Sequence, residues 1–414
     1  HSFIGCRLYK LYIENCIMAK AIKVSGVGSC LVDYLFNNIA FITETFSKYL
    51  SKESGDGGLI PGQLVFAEEF SQFTGQVYKS VIKEITKDKP SDKVNIGGPG
   101  IVALIHAAQM LENTNCQVNF YGGYGEDKAG EYLHSSLLKT PVNIDNYKLL
   151  EGATPSTVVL SDPDFHEGSG ERTFINTIGS AENYIPAFLD DHFFTSDVVV
   201  FGGTALVPPV HDHLADLLVK SKRRGCITVV NTVFDFRNEK ANPDKKWPMG
   251  SSDESYRNID LLITNQEEAL RLSGKKVLKE AMHFFRDNGT GAVIVTNGVN
   301  NVSLFSNQKS LFKEIHLTEM PVSDLVTRQL IEKKSGDTTG CGDNFAGGVI
   351  ASLVTQLQNN KEKIDLKEAC IWGIVSGGFS CFYMGGTYHQ KHPGEKLKLL
   401  IPFYEDYLKQ IDNE

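Results

Sequence analysis

The chain has 414 residues, 41% of them hydrophobic, with 41 basic and 50 acidic side chains and a net charge of −9. Such a chain supports a large core, as one big α/β domain or two smaller ones. The acidic balance argues against tracking a nucleic-acid backbone, which needs a basic face, and no apolar run approaches the ~18 residues that span a bilayer.

Residues 1–17, HSFIGCRLYKLYIENCI, carry charges and no continuous apolar stretch, so they make a poor secretory signal. MAKAIKVSGVG, from Met18, reads as an ordinary start, and 1–17 as a non-native or upstream extension left out of the fold. The eight cysteines, at 6, 16, 30, 116, 226, 341, 370 and 381, form no Cys-x-x-Cys pair. They read as reduced thiols of a cytoplasmic protein. Short apolar runs at 21–27, 117–123, 197–203, 226–232, 260–265 and 292–298 predict buried strands. Helical patterns lie between and after them at 100–111, 128–138, 209–221, 266–273, 277–287, 343–357 and 366–383. This alternation predicts an α/β fold with a mostly parallel sheet and helices on both faces. Ligands of such sheets bind outside the carboxyl ends of the strands.

Two stretches break the rhythm. Residues 34–92 are long, mixed in polarity and contain the Gly/Pro-rich KESGDGGLIPGQL. Residues 154–176 read as a hairpin, TPSTVVLSD and ERTFINT around the polar turn PDFHEGSG. Beside a parallel sheet such a hairpin suggests a lid that excludes water from a reaction; the plain alternative is a surface excursion. His211 and His213 point to different faces of a helix and read as surface residues. The chain contains no Gly-x4-Gly-Lys-Ser/Thr phosphate loop.

Near the C-terminus stands SGDTTGCGDNFAGG, from Ser335 to Gly348. A helix start offers unpaired N–H groups and the positive end of a dipole, where anions collect. Gly340 and Gly342 let the backbone turn tightly and approach a ligand closely. Asp343 falls in the first turn, where it can accept a proton from a nucleophilic hydroxyl. Phosphoryl transfer needs little more than an oriented nucleophile, a base and donors for the spreading charge. Alternatively, Asp343 merely caps the helix and the glycines pack it closely.

DTTGCGDNFAGG resembles the C-terminal signature of the ribokinase-like (PfkB) carbohydrate kinase family, Asp-Thr-x-Gly-Ala-Gly-Asp, with Cys341 replacing the central alanine. Six further segments between about Ala21 and Gly386 are similar in the same order: GVGSCLVDYL, IGGPGIVALIHAAQML, YGGYGEDKAGEYL, ERTFINTIGSAENY, DLLITNQEEALRLSG and AVIVTNGVNNVSLF. The resemblance implies a three-layer α/β/α fold over 18–414 with a small β-sheet lid, from about 34–92 and 154–176. It implies transfer of the ATP γ-phosphoryl group to a sugar or nucleoside hydroxyl, with Mg2+. By the same resemblance Asp343 is the base, and the amides of Gly340, Cys341 and Gly342 form the anion hole. Asn265 and Glu268 match the Asn-x-x-Glu motif that helps place phosphate and magnesium, largely through water. Thr296 and Gly298 match the ATP-lining segment, and Asp337 and Thr339 match positions that hold a monovalent cation such as K+ in some members. Arg172 matches a lid arginine that reaches the transferring phosphoryl group. Asp33, Gly97 and Gly98 match the substrate side. A homodimer through the lid is one assembly the resemblance allows.

The sequence departs from the pattern on the substrate side. An asparagine that usually follows the Gly-Gly segment is replaced by Val102, and Asn95 stands before the glycines. Segment 34–92 is also longer than the lid of the family. The expectation is an ATP-dependent sugar kinase. The alternatives are a nucleoside kinase of the same family, disfavoured by the DTTG spelling, and a catalytically silent binding relative, disfavoured by Asp343.

Overall fold

The computed structural model describes residues 20–53, 55–165, 170–333 and 337–412. The expected extension at 1–17 and the hairpin tip at 166–169 lie outside the described residues. Strands β1 (Ile22–Gly28), β5 (Cys116–Tyr124), β6 (Asn143–Leu149), β9 (Val198–Gly202), β10 (Ile227–Asn231), β11 (Leu261–Asn265), β12 (Ala292–Asn297), β13 (Asn300–Ser306) and β14 (Ile315–Met320) form one sheet. Its order is β14-β13-β12-β11-β10-β9-β1-β5-β6, parallel from β12 to β6 and antiparallel at the β13 and β14 edge.

The strands are apolar on both sides because both sides are covered, as in parallel sheets generally. Alternate residues serve opposite layers. Val24, Val198, Val200 and Ile294 pack into one core, and Val27, Val199, Phe201 and Val295 into the other. The first core is closed by α4 (Pro99–Leu111), α5 (Lys128–Leu137), α12 (Cys341–Gln358), α13 (Leu366–Ser380) and α14 (Glu395–Asp412). The second is closed by α6 (Pro208–Asp212), α7 (Leu214–Arg223), α9 (Gln266–Ser273) and α10 (Leu278–Asp287). Short α8 (Phe236–Ala241) and α11 (Asp324–Lys333) complete the body.

A smaller sheet has the order β3-β8-β7-β2-β4, from β2 (Leu31–Phe36), β3 (Leu64–Phe66), β4 (Lys93–Gly97), β7 (Ser156–Asp162) and β8 (Glu171–Thr177). The length of 34–92 has a physical use. Its helices α1 (Glu44–Ser47), α2 (Ala67–Thr74) and α3 (Tyr78–Thr86) supply Phe46, Phe70, Val81, Ile82 and Ile85. These pack with Val158, Leu160 and Ile175 into a third apolar cluster, covering one face of the smaller sheet.

The expected helix at 209–221 is two helices broken at His213, whose backbone (φ −102, ψ 12) leaves the helical region. The expected surface position of His211 is corrected as well. His211 is buried, with Nδ1 2.9 Å from Thr204 Oγ1 and Nε2 3.3 Å from Asp235 Oδ2, while His213 is exposed. A carboxylate 24 positions further along the chain makes that burial tolerable. No described helix is long and apolar enough to cross a membrane.

Candidate active site

Helix α12 starts in an unusual way. Gly340 is left-handed at φ 77, and a Cβ there would lie 2.4 Å from Gly386 Cα. Gly342 differs, because a Cβ there would meet nothing within 4 Å. Packing explains Gly340, whereas at Gly342 the open space lies over the helix start. Of the first amides, Cys341 N–H donates to Thr338 O at 3.3 Å and Asn344 N–H to Gly340 O at 2.9 Å. The N–H groups of Gly340, Gly342 and Asp343 have no acceptor among the described residues, so of the three amides expected in the anion hole only that of Cys341 is already taken. An incoming anion therefore finds the amides of Gly340, Gly342 and Asp343 free, with Cys341 already engaged.

Asp343 stands in the first turn of this helix. It is partly accessible to water yet surrounded by protein on most sides, and that burial raises its pKa to about 7, helped by the charge of Glu268. A base poised near neutrality is well matched to proton transfer at physiological pH. Glu268 itself stands in the first turn of α9. Asn265 caps that helix, accepting from Glu268 N–H at 2.8 Å and donating to Glu268 Oε1 at 2.8 Å. Burial raises the Glu268 pKa against hydrogen bonds from Thr232, Asn265 and Thr264 that lower it. Thr296 is paired with Asn265 across β11 and β12, and Gly298 (φ 58) forms the turn into β13 with nothing near its missing side chain. Asn265, Thr296 and Gly298 thus share one edge of strand ends, and Glu268 links that edge to Asp343.

The smaller sheet contributes Arg172 on β8. Its Nη1 lies 3.1 Å from Asp337 Oδ1, and the same guanidinium donates to the hydroxyls of Thr338 and Thr339. Asp337 further accepts from Thr339 N–H at 2.9 Å and, through Oδ2, from Gly385 N–H at 2.7 Å. Arg172 therefore supplies the positive charge at Asp337 and Thr339. While it is seated, these residues are satisfied and do not fit an additional monovalent cation.

Asp33 lies on β2, buried, opposite Asn95 of β4. Burial, then the charges of Asp343 and Asp337, raise its pKa to about 8. Asp343 and Asp337 thus both lie close enough to Asp33 to raise its pKa. Gly97 makes room for this carboxylate: a Cβ on Gly97 would lie 2.0 Å from Asp33 Oδ2. Gly98 (φ 101) lets the chain pass Ser29, whose carbonyl oxygen would lie 2.8 Å from a Cβ. The close packing at each explains why these two positions are glycine. Val102 is buried and packs beside Gly386. Asn95 is turned to the 384–389 loop, donating to Thr387 O at 3.2 Å and lying 2.9 Å from His389 Nε2.

Sequence reasoning passed over several residues here. The register Asp33–Thr157 and Thr157–Asn176 puts a polar row on one face of the smaller sheet. Asn176 donates to Thr157 Oγ1 at 2.9 Å, and its buried Oδ1 has no partner among the described residues. Behind the base, Asn344 donates to Gly340 O and Gly386 O, both at 2.8 Å. Its Oδ1 accepts from Lys396 Nζ at 2.9 Å and Tyr383 OH at 3.1 Å, with His106 Nδ1 2.8 Å away. Burial lowers the pKa of Lys396 and of His106, so a neutral imidazole donates there. Asn344 follows the candidate base directly and could have been suspected; Lys396 carries no local signal.

The donor set suits magnesium only in a limited way. No cluster of three or more His, Cys, Asp or Glu that could hold a metal exists among the described residues. A single carboxylate such as Glu268 fits an ion that keeps most of its waters and is shared with phosphates.

Comparison with known proteins bears on the family and the fold. The family model "pfkB family carbohydrate kinase" matches residues 68–392. An adenosine kinase from Schistosoma mansoni, solved with 2-fluoroadenosine, superposes with a TM-score of 0.63 at 16% identity, covering 88% of this chain and 96% of that one. An adenosine kinase from Sinorhizobium meliloti gives 0.65 at 16% identity, covering 91% and 98%. A ribokinase from Thermotoga maritima gives 0.59 at 18% identity, covering 94% and 99%. At such identities these structures share the fold and nothing finer. The match over most of the chain does establish the family: this protein is a member of the PfkB family of carbohydrate kinases.

Proposed function

We propose that this kinase transfers the γ-phosphoryl group of ATP to a hydroxyl of a sugar, with Asp343 as the base. The observation that carries the reading is Asp343 itself: a carboxyl with its pKa raised to about 7, at an open helix start with free amides, with Glu268 close enough to raise its pKa and Asp33 close enough to feel its charge. Asp33 accepts hydrogen bonds from neighbouring hydroxyls of the acceptor and holds one of them toward Asp343. Asp343 removes that proton as the oxygen attacks. The amides of Gly342 and Asp343, at the positive end of α12, receive the charge that spreads over the transferring group. Asn265, Thr296 and Gly298 line the nucleotide side. Glu268 would hold magnesium through water, and the ion would supply neutralisation of phosphate charge. Arg172 holds the lid against the 337–339 segment, which keeps water from the transferring group.

ADP release measured with ATP and magnesium against panels of sugars and nucleosides tests this. Turnover with a sugar is the expected result. Turnover with nucleosides alone would overturn the substrate assignment, and no turnover with any acceptor would favour a silent relative.

A further inference from the structure

The anion-binding turn carries a feature that phosphoryl transfer does not use. Cys341 is the first residue of α12, and Cys381 is the C-cap of α13. Their sulfurs lie 3.2 Å apart, although the residues are 40 positions apart in the chain. Neither is fully buried, in contrast to Cys30, Cys226 and Cys370. Ser380 Oγ donates to Cys341 Sγ at 3.2 Å, so the thiol is held facing its partner. Both ends of the pair are tied to the site. Cys381 O accepts from Asp337 N–H at 3.2 Å, and Asp337 holds Arg172. Cys341 lies between Gly340 and Gly342.

We propose that Cys341 and Cys381 form a reversible disulfide that switches off the catalytic turn. The electron acceptor is a small disulfide such as oxidised glutathione. One protein thiolate attacks it, forming a mixed disulfide and releasing one glutathione thiolate. The second protein thiolate then attacks the protein sulfur of that mixed disulfide and displaces the other glutathione. Two protein thiols are oxidised, one glutathione disulfide is reduced, and two protons pass to the two glutathione thiolates. A cytoplasmic disulfide of this kind is transient and redox-sensing by nature.

Geometry also sets the consequence. A sulfur–sulfur bond is about 2.05 Å long, so the pair must close by roughly 1 Å. Whatever part of that closure the Cys341 backbone takes up is passed to Gly340, which is wedged against Gly386, and to the free amides at Gly342 and Asp343. Displacements of that size in a catalytic constellation cost on the order of 10²-fold in rate.

The test equilibrates the full chain with mixtures of oxidised and reduced glutathione. Mass mapping of unreduced peptides reads the link, and turnover reads its effect. The expected result is a Cys341–Cys381 cross-link, a fall in turnover of at least about tenfold, recovery with dithiothreitol, and no such fall in Cys381→Ala. The turnover arm rests on the kinase reading, while the mapping arm is independent of it, so the two can fail separately. Absence of the cross-link, including persistence of a mixed disulfide alone, overturns the proposal. So does cross-linked protein with undiminished turnover, or an equal loss in Cys381→Ala.

Discussion

Replacing Asp343 by Asn should separate catalysis from folding in opposite directions. Asp343 has its pKa raised from 3.8 to about 7 by burial and by Glu268. A carboxyl whose folded pKa is raised destabilises the fold when it ionises. At low pH both states keep the proton and there is no penalty. As the pH rises from about 4 to about 7 the unfolded chain gives up the proton first and stability falls; above that the loss is constant. Three pKa units at about 1.4 kcal/mol each set an upper limit of ~4 kcal/mol. Partial access of water to Asp343 reduces it. For 414 residues the unfolding entropy is ~0.9 kcal/mol/K, so the limit corresponds to ~5 °C in Tm. Asp343→Asn should therefore melt a few degrees above wild type at pH 8 and at the same temperature at pH 4. Turnover should fall by roughly 10²–10⁴ while binding of a nonhydrolysable ATP analogue persists. Scanning calorimetry across pH and steady-state kinetics read both. A melting difference independent of pH would refute the electrostatic reasoning, and near wild-type turnover would refute the role of the base.

Three further outcomes are expected. Asp33→Ala should lower kcat/KM for the alcohol by at least about tenfold with little change in KM for ATP, since the two hydrogen bonds lost from a carboxyl that burial keeps largely protonated are worth roughly 0.5–1.5 kcal/mol each; unaltered acceptor kinetics would place the pocket elsewhere. Glu268→Gln removes a charge that raises the Asp343 pKa, so the acid limb of the kcat/KM–pH profile, near 7 in wild type, should move to lower pH; an unmoved limb would mean that Asp343 is not the group being titrated. Arg172→Ala releases the Asp337, Thr338 and Thr339 contacts, so amide hydrogen exchange in β7 and β8 should quicken, and unchanged exchange would show that this contact does not hold the smaller sheet in place.

The sequence made some of this legible because the rules involved are local. The glycines and carboxylate of α12 sit within a few residues of one another, and helix-terminus chemistry depends on nothing further away. The strands of the large sheet stood out because burial on both faces makes their sequences continuously apolar. What stayed hidden depends on partners distant in the chain. Lys396 becomes a buried donor only because α14 lays it against Asn344. His211 is buried because Asp235 and Thr204 receive it. Asn176 reaches the row of Asp33 and Thr157 through strand register, which no single strand displays. Segment 34–92 is mixed in polarity because α2 and α3 are amphipathic: one side packs on the smaller sheet and the other meets water. Cys341 was visible as a substitution, whereas its neighbour Cys381 was not.

The most direct test follows the phosphorus atom. Incubation with magnesium and ATP labelled at the γ-phosphorus, followed by separation of the products, shows where the label goes. Label is expected in an ester of a sugar hydroxyl with wild-type protein, and roughly 10²–10⁴-fold less in the same time with Asp343→Asn. Label released only as inorganic phosphate, or equal transfer by both proteins, would contradict that expectation.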